Sequence, residues 1–333
     1  MVERLKNITG KDIKEFLGNN AITIMIIIMA LYVGLTKDNF FTWGNMHNLA
    51  KNTSIRFLVA MGVSGCLITK GTDLSAGRQI GFAACIAGTL LQRADYASKF
   101  FPDLAEYPLL AVIIGVVALT ALIGIFNGII IAYFKVPPFI TTLGTQTLVY
   151  GVTLIYSRAE PIGGFRPEYS NLSSGQFLNI SYLIWFTLIV AVIMWFIYNF
   201  TRHGKYMYAI GGNENAAEVS GVNTNAVKIR IYATASILYA LAGILLAPKS
   251  GGASVNLGQG WELEAIAACT IGGVSTNGGV GKISGILIGV LVFEVLKTSL
   301  QFLGVETNYT YIAQGAVIII AVAMDIRKYV AKK

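Results

Sequence analysis

Few side chains in this sequence could take part in covalent or metal chemistry. Its 333 residues include only two histidines, His47 and His203, and three cysteines. The cysteines lie far apart within apolar runs, which is typical of buried structural cysteines rather than of a disulfide or a zinc site. The sequence has no G-x-x-x-x-G-K-[ST] phosphate loop, no H-E-x-x-H metal motif and no G-x-S-x-G nucleophile motif. We therefore expect neither a phosphate-loop nucleotide site nor a catalytic centre.

Polar residues that interrupt apolar runs are the other candidates for a function. Asp73 stands in Gly71-Thr-Asp-Leu-Ser-Ala-Gly-Arg78, where it either caps the following helix or lines a path through the membrane. The pattern Asp-x-Ser before a helix favours the cap. Other polar residues either hydrogen-bond between helices or face a path for a polar solute. The candidates for such a path are Asn127, Thr141, Thr142 and Gln146.

Ionisable residues are scarce within the apolar runs. Glu294 and Lys297 are three positions apart, a spacing that predicts a local ion pair on one helix face rather than a proton relay. An ion-coupled secondary transporter or a membrane enzyme is expected to carry a cluster of ionisable groups within its spans. Neither class is favoured, and we expect the energy for any transport to come from a separate subunit.

The longest polar interruption is the stretch from Arg202 to Val222. Asn213 is predicted to cap a short helix, and Glu214 follows in the first turn, where a negative charge suits the helix dipole. Ser220-Gly221 is predicted to end this helix. Its small apolar face is predicted to consist of Ala216, Ala217 and Val219. Because isolated helices shorter than about 12 residues are marginal in water, we expect this helix to sit in a groove of another protein.

The composition indicates a protein with many membrane spans. Hydrophobic residues make up 55% of the chain and charged residues 13%, whereas soluble proteins carry about 25% charged residues. We predict an all-α integral membrane protein with a single domain over residues 1–333. Its third and eighth spans are short and adjoin glycine-rich loops, so we expect broken or re-entrant segments. Windows of about 17–25 apolar residues place the spans at about 20–36, 53–69, 78–92, 108–134, 138–156, 181–200, 229–248, 262–275, 282–303 and 309–326.

The distribution of charge predicts the orientation in the membrane. With the N-terminus inside, the inner segments hold 16 of the 25 lysines and arginines but 7 of the 17 acidic residues. This bias follows the positive-inside rule, which also explains the net charge of +8 without a nucleic-acid partner. We therefore expect a multi-pass protein with a cytoplasmic N-terminal tail at 1–19, a cytoplasmic segment at 202–228 and a cytoplasmic C-terminal tail at 327–333.

Several of these motifs together resemble the bacterial ABC sugar permeases. The resemblance rests on the Arg202–Val222 segment, the Gly71–Arg78 loop and Asn127-Gly128 followed by Pro138-Phe-Ile-Thr-Thr-Leu-Gly144. It also includes Leu263-Glu-Ala-Ile-Ala-Ala268 with Gly272-Gly-Val-Ser-x-x-Gly-Gly-Val-Gly281. The chain is most similar to the ribose/galactose branch and, within it, to the galactose/methyl-galactoside permeases. Ribose, xylose and autoinducer sugars remain alternative substrates.

The resemblance implies a type II ABC importer-like permease in the bacterial inner membrane. Such a permease is a homodimer that works with a cytoplasmic ABC ATPase and an extracytoplasmic sugar-binding protein. ATP and Mg²⁺ would bind to the ATPase, and this chain would hold no cofactor of its own. The path residues named above, including Asp73, would lie along the sugar's route. The residues that would couple the permease to the ATPase are Gly211, Gly212, Asn213, Glu214, Ala216, Ala217, Ser220 and Gly221.

Overall fold

The computed structural model describes the backbone of residues 21–330 and the side-chain surroundings of residues 21–326. The predicted tails at 1–19 and 327–333 fall outside the part whose side chains are described. Helices dominate the described residues. In chain order they are α1 Ala21–Thr36, α2 Trp43–Ile68, α3 Ala76–Leu90, α4 Leu109–Tyr133, α5 Pro138–Ser157, α6 Pro167–Ser174, α7 Tyr182–Phe200, α8 Arg202–Gly212, α9 Glu214–Val219, α10 Thr224–Ser250, α11 Trp261–Ile271, α12 Ile283–Phe302 and α13 Thr307–Val330.

Helix length and apolarity confirm the predicted fold class. Each of the ten predicted spans overlaps one of the helices. Crossing a bilayer takes about 20 predominantly apolar residues, and within the described residues five helices meet this requirement: α4, α7, α10, α12 and α13. Helix α1 is a shorter apolar helix of 16 residues. The chain is thus an all-α membrane protein, and the total of ten spans stays a prediction.

The two helices expected to be short are α3, with 15 residues, and α11, with 11 residues. The beginning of α3 lies against the beginning of α11 and the loop before it. A Cβ atom added to Gly77 would overlap both the Glu262 carboxylate and the Gly258 carbonyl oxygen. Residues 69–75 precede α3 and residues 272–282 follow α11. Neither segment is helical. Interrupted helices of this kind are tolerated in membranes where protein shields their free backbone groups.

Helix α10 is the centre of the bundle and packs against α2, α3 and α4. Its contact with α4 is close because two glycines on α4 present no side chain there. A Cβ atom at Gly124 would lie 2.5 Å from the Ser236 hydroxyl oxygen, and one at Gly128 would lie 2.6 Å from the Ile229 Cα atom. Small residues at such crossings allow two backbones to approach closely within a membrane.

The connection at 157–179, between the fifth and sixth predicted spans, is an ordered structure. It contains α6 and the first strand of a two-stranded antiparallel ribbon formed by β1 Gln176–Phe177 and β2 Ile180–Ser181. Tyr169 on α6 is fully buried, and its hydroxyl donates to the Ile244 carbonyl oxygen on α10 at 2.8 Å. The connection between α5 and α7 is therefore anchored to the bundle.

Candidate functional site

The Arg202–Val222 stretch folds into two helices rather than the single short helix expected from its sequence. Thr201 caps α8 by accepting from the Gly204 N–H at 3.2 Å. Asn213 separates the helices and caps α9, because its side-chain oxygen accepts from the Ala216 N–H at 3.0 Å. The predicted cap is therefore confirmed. The prediction missed α8 because its glycines and polar residues have low helix propensity, which tertiary packing overrides.

The predicted end of α9 is also confirmed. Gly221 has a φ of +85°, a left-handed conformation that glycine adopts without a steric penalty. Its N–H donates to the Glu218 carbonyl at 2.9 Å, and the Val222 N–H donates to the Ala217 carbonyl at 3.1 Å. This pair of bonds is the Schellman motif, which satisfies the last carbonyl groups of a helix.

The predicted apolar face of α9 is wrong. Ala217 is 5% exposed and belongs to the hydrophobic core of this chain, whereas Val219 is 90% exposed. Ala216 is exposed as well, together with Asn215 and Glu218. The six residues of α9 are too few for one face to be inferred reliably from spacing. Ala217 packs α9 against the rest of this chain, and the opposite side of α9 is exposed.

Helix α9 and the preceding Gly211-Gly212 pair are tied to neighbouring elements by polar bonds. The Lys228 ammonium of α10 binds both carboxylate oxygens of Glu214, at 2.6 and 2.7 Å. The Lys70 ammonium donates to the Gly212 carbonyl oxygen at 3.2 Å. Glu214, predicted for its helix-dipole position, thus also forms an ion pair that secures α9 to α10.

The end of α8 packs against the end of α2 and the glycine-rich loop 272–281. A Cβ atom at Gly211 would overlap the Ile68 carbonyl oxygen and lie 2.5 Å from the Gly279 nitrogen. The Gly279 N–H donates to that same Ile68 carbonyl at 2.8 Å. The Tyr208 hydroxyl donates to the Gly281 carbonyl at 2.9 Å. Displacement of α8 would therefore act directly on α2 and on the loop between α11 and α12.

Two of the predicted residues, Asp73 and Asn127, belong to a buried hydrogen-bond network that is here called the polar centre. Its other members, which were not predicted, are Ser75, Gln79 and Thr145. The Asp73 Oδ1 atom accepts from the Ser75 N–H at 3.0 Å and from its hydroxyl at 2.6 Å. The Ser75 Oγ atom accepts from the Gln79 and Asn127 amides at 2.8 and 3.2 Å. Thr145 donates to Asn127 at 2.6 Å. The network joins α3, α4 and α5.

The cap prediction for Asp73 is wrong, since Ser75 occupies the N-cap position of α3 and makes no side-chain cap bond. Asp73 instead forms a turn ahead of the helix by accepting from a backbone N–H two residues on. An Asp-x-Ser pattern allows both geometries, and burial of the carboxylate decides between them. Its second oxygen, Oδ2, has no hydrogen-bond partner in the described part of the chain, and neither does the Tyr239 hydroxyl.

The remaining predicted path residues lie on α5. Thr142 is fully buried, and its hydroxyl accepts from the Leu74 N–H at 3.1 Å and lies 3.1 Å from the Thr72 carbonyl. Thr141 is buried too, while Gln146 is half-buried. The structure thus brings Asp73, Asn127 and Thr142 together, and among the described residues no hydrogen bond joins Gln146 to them. Thr142 holds the segment before α3 in place, and the assignment of a path stays a prediction.

Four charged residues form a network that was not predicted from the sequence, although Glu294 and Lys297 were noted there. It is here called the charge network and consists of Arg56, Glu264, Glu294 and Lys297. Arg56 on α2 pairs with both Glu264 on α11 and Glu294 on α12. The Lys297 ammonium binds Glu264 at 2.7 Å. The predicted local pair of Glu294 with Lys297 is wrong, because each residue finds its partner on another helix. The Arg56 guanidinium carbon also lies 4.2 Å from the centre of the Trp261 ring.

The charge network removes the argument against ion coupling that rested on a scarcity of ionisable groups. The sequence did carry a signal, since Arg56 stands inside a predicted span and a buried charge requires a partner. Its partner Glu264 is 208 residues away in the chain, so the pairing could not be read from local spacing. The network contains two positive and two negative groups, and each group is paired.

Comparison with known proteins decides the family. The profile of the family described as "Branched-chain amino acid transport system / permease component" matches residues 45–322. The chain belongs to this permease family. The galactose/methyl galactoside import permease protein MglC of Escherichia coli K12 is 43% identical over 330 residues, which cover 97% of this chain and 98% of the relative. The corresponding protein of Haemophilus influenzae Rd is 42% identical over 326 residues, covering 96% and 97%.

Permeases named for ribose are more distant relatives within the comparison. The ribose import permease protein RbsC of Escherichia coli K12 is 34% identical over 319 residues, covering 95% of this chain and 96% of the relative. No solved structure matches the chain significantly. The resemblance deduced from the sequence motifs is thereby confirmed, and the chain is a permease component of a transport system.

Proposed function

We propose that this chain is the membrane-spanning subunit of an ABC importer that moves galactose or a methyl galactoside into the cytoplasm. The observation that carries the proposal is the 43% identity, along 97% of the chain, to a permease named for these sugars. The identity to the ribose permease is 34%. Ribose and other pentoses or autoinducer sugars are therefore the less favoured substrates.

The proposed assembly contains two copies of this chain, a cytoplasmic ABC ATPase and an extracytoplasmic sugar-binding protein. ATP and Mg²⁺ bind to the ATPase, and this chain provides the route through the inner membrane. Both termini and the α8–α9 segment face the cytoplasm in this proposal. The charge bias of the sequence supports that orientation, and α9 then lies where an ATPase could reach it.

The proposed coupling element is α9 with the Gly211-Gly212 pair before it. Its outward side carries Asn215, Ala216, Glu218 and Val219, and the last of these exposes a large apolar side chain at the tip. An apolar side chain that is 90% exposed fits a pocket on a partner protein, where removing its apolar surface from water would favour binding. Residues Asn213, Glu214, Ser220 and Gly221 shape and hold the helix and need not touch the ATPase.

Movement of α9 would reach the transport route through the contacts that hold it. Gly211 packs on the end of α2, whose chain continues into the segment 69–75 and the polar centre. Closure of the ATPase around ATP would shift α9, and α8 would pass the shift to α2 and to the loop 272–281. This coupling supports an alternating-access mechanism in which hydrolysis resets the starting arrangement.

The test uses Val219→Asp with Leu178→Asp as a matched control. Leu178 is also exposed, at 71%, but it lies between the strands of the ribbon, away from α9. We expect Val219→Asp to lose the co-purifying ATPase and the stimulation of ATP hydrolysis by sugar-loaded binding protein, because it places a charge in an apolar pocket. Leu178→Asp is expected to keep both.

Uptake assays in cells identify the substrate. We expect competition by galactose and methyl galactoside and little competition by ribose. Full ATPase binding by Val219→Asp would overturn the coupling role of α9. Uptake that continues after ATP depletion and stops when the membrane potential is collapsed would replace the ABC importer with an ion-coupled secondary transporter that uses the charge network.

A further inference from the structure

A cleft with a volume of about 510 Å³ opens beside α9. Its walls come from α9, the beginning of α10, the link between α4 and α5, and the segment that follows α2. This volume can accommodate a small polar group together with the atoms bonded to it. The residues that give it chemical character are Lys70, Lys135, Glu214, Glu218, Lys228 and Tyr232.

Positive charge at the cleft is only partly compensated. Lys228 is paired with Glu214. The Lys70 ammonium binds only a backbone carbonyl oxygen, and the Lys135 ammonium binds the Asn225 side-chain oxygen at 3.2 Å. Within residues 21–326, neither Lys70 nor Lys135 forms an ion pair. The Glu218 carboxylate also lines the cleft and forms no ion pair within these residues, so three lysines and two glutamates give the lining a net charge of +1. The ammonium groups of Lys70 and Lys135 are the ones that can bind an anion.

The inner wall of the cleft contains a buried hydroxyl group that lacks a partner. Tyr232 is 1% exposed, and its hydroxyl has no hydrogen-bond partner within the described residues. The hydroxyl oxygen lies next to Gly71, whose added Cβ atom would be 2.5 Å from it. Burying a hydroxyl group without a partner is unfavourable, so a guest in the cleft that accepts a hydrogen bond would stabilise this arrangement.

The helix ends on either side of the cleft-lining residues 135–138 carry exposed apolar side chains. Tyr133 and Phe134 at the end of α4 are 62% and 72% exposed. Phe139 and Ile140 at the beginning of α5 are 56% and 59% exposed. Exposed aromatic residues at the ends of apolar helices are typical of the layer where lipid headgroups meet acyl chains. Cationic residues that line the cleft and exposed apolar residues suited to a hydrocarbon tail are therefore neighbours in the chain.

We propose that this cleft binds the headgroup phosphate of an anionic phospholipid. Basic pockets between spans on the cytoplasmic side of a membrane bind such headgroups. Lys70 and Lys135 would bind the phosphate, the Tyr232 hydroxyl would donate to a headgroup oxygen, and the acyl chains would lie along Phe134 and Phe139. The site rests on the proposed cytoplasmic orientation of α9, and it would place a lipid between α9 and the bundle.

The experiment measures lipid retained by the purified transporter complex in mild detergent, by native mass spectrometry. Phosphatidylglycerol and phosphatidylcholine are added separately, and a third arm adds inorganic phosphate as a competitor. We expect one phosphatidylglycerol per copy of this chain. The double variant Lys70→Gln/Lys135→Gln should weaken its retention about thirtyfold, from the usual contribution of a lysine near an anionic lipid. Lys205→Gln is the control, because Lys205 is exposed on α8 and does not line the cleft.

Tyr232→Phe provides a second variant that removes only the hydroxyl group and is expected to weaken retention without loss of folding. Equal retention of phosphatidylcholine, or unchanged retention by the double variant, would overturn the proposal. Displacement of the lipid by millimolar inorganic phosphate would also overturn it, since the site would then take free phosphate. Lipid retention is measured without sugar, so a failure of galactose uptake would leave this result intact.

Discussion

The sharpest perturbation of the coupling segment is the addition of one methyl group at Gly211. Gly211 and Gly212 are adjacent at the end of α8, and neither has a left-handed φ, so alanine suits the backbone at both positions. A Cβ atom at Gly211 would overlap the Ile68 carbonyl oxygen and lie 2.5 Å from the Gly279 nitrogen. A Cβ atom at Gly212 would meet nothing within 4 Å.

The expected cost follows from the type of atom that must move. Ile68 and Gly279 contribute backbone atoms, which cannot turn aside as the end of a flexible side chain can. Overpacking a tight contact typically costs about 1–3 kcal/mol, and we expect Gly211→Ala at the upper end of that range. Gly212→Ala should be neutral or stabilise the folded state by up to about 1 kcal/mol, because alanine has the higher helix propensity.

Two assays measure the effects of these substitutions on stability and on transport. Thermal unfolding in detergent, monitored by intrinsic fluorescence, should show a lower midpoint for Gly211→Ala than for Gly212→Ala. In proteoliposomes with the partner proteins, Gly211→Ala should hydrolyse ATP with reduced sugar uptake per ATP, since α8 can no longer press against the end of α2. Equal midpoints and equal uptake for the two variants would refute the idea that this contact transmits motion.

Three further substitutions test the remaining contacts. Ala217→Asp should lower the thermal unfolding midpoint of the isolated permease, because it buries a charge in this chain's own core. An unchanged midpoint combined with loss of ATPase binding would show that Ala217 contacts the ATPase instead. Glu294→Gln leaves the Arg56 guanidinium with Glu264 as its remaining carboxylate partner and should lower the free energy of unfolding by about 1–3 kcal/mol. Chemical denaturation should show partial recovery in Arg56→Gln/Glu294→Gln, and a double variant less stable than the single would contradict the pairing. Lys228→Met removes the ion pair of Glu214 and should speed amide hydrogen exchange in α9 up to about fivefold, the upper end for a partly exposed pair; unchanged exchange would show that other contacts hold the helix.

Much of the architecture could be predicted because membrane spans are encoded locally. An apolar run of about 20 residues satisfies its own backbone hydrogen bonds as a helix and gains from contact with lipid. The shortness of α3 and α11 was visible for the same reason, since glycine-rich segments interrupt their apolar runs. The cap at Asn213 and the stop at Gly221 depend on neighbours within five residues, so they too could be predicted.

The functional groups were predicted less completely because their surroundings come from distant parts of the chain. Asn127 and Thr142 were selected correctly as polar residues that need partners, but the sequence could not show that both belong to the region around Ser75 and Thr72. Val219 was predicted to share one face with Ala216 and Ala217, and the sequence could not show that Val219 is exposed while Ala217 is buried, because this depends on how α9 lies against the rest of the chain.

The sequence by itself determined that this chain is a helical membrane permease with a capped polar segment between α7 and α10. Hydropathy, helix caps and the order of motifs are local properties, so they can be recognised in the sequence without knowledge of the packing. The tertiary structure alone decided that Arg56 meets Glu264 across 208 residues and that Gly211 lies against Ile68. Long-range contacts of this kind are set by which helix faces meet, and the low dielectric of the bundle then selects the pairings in which every charge has a partner.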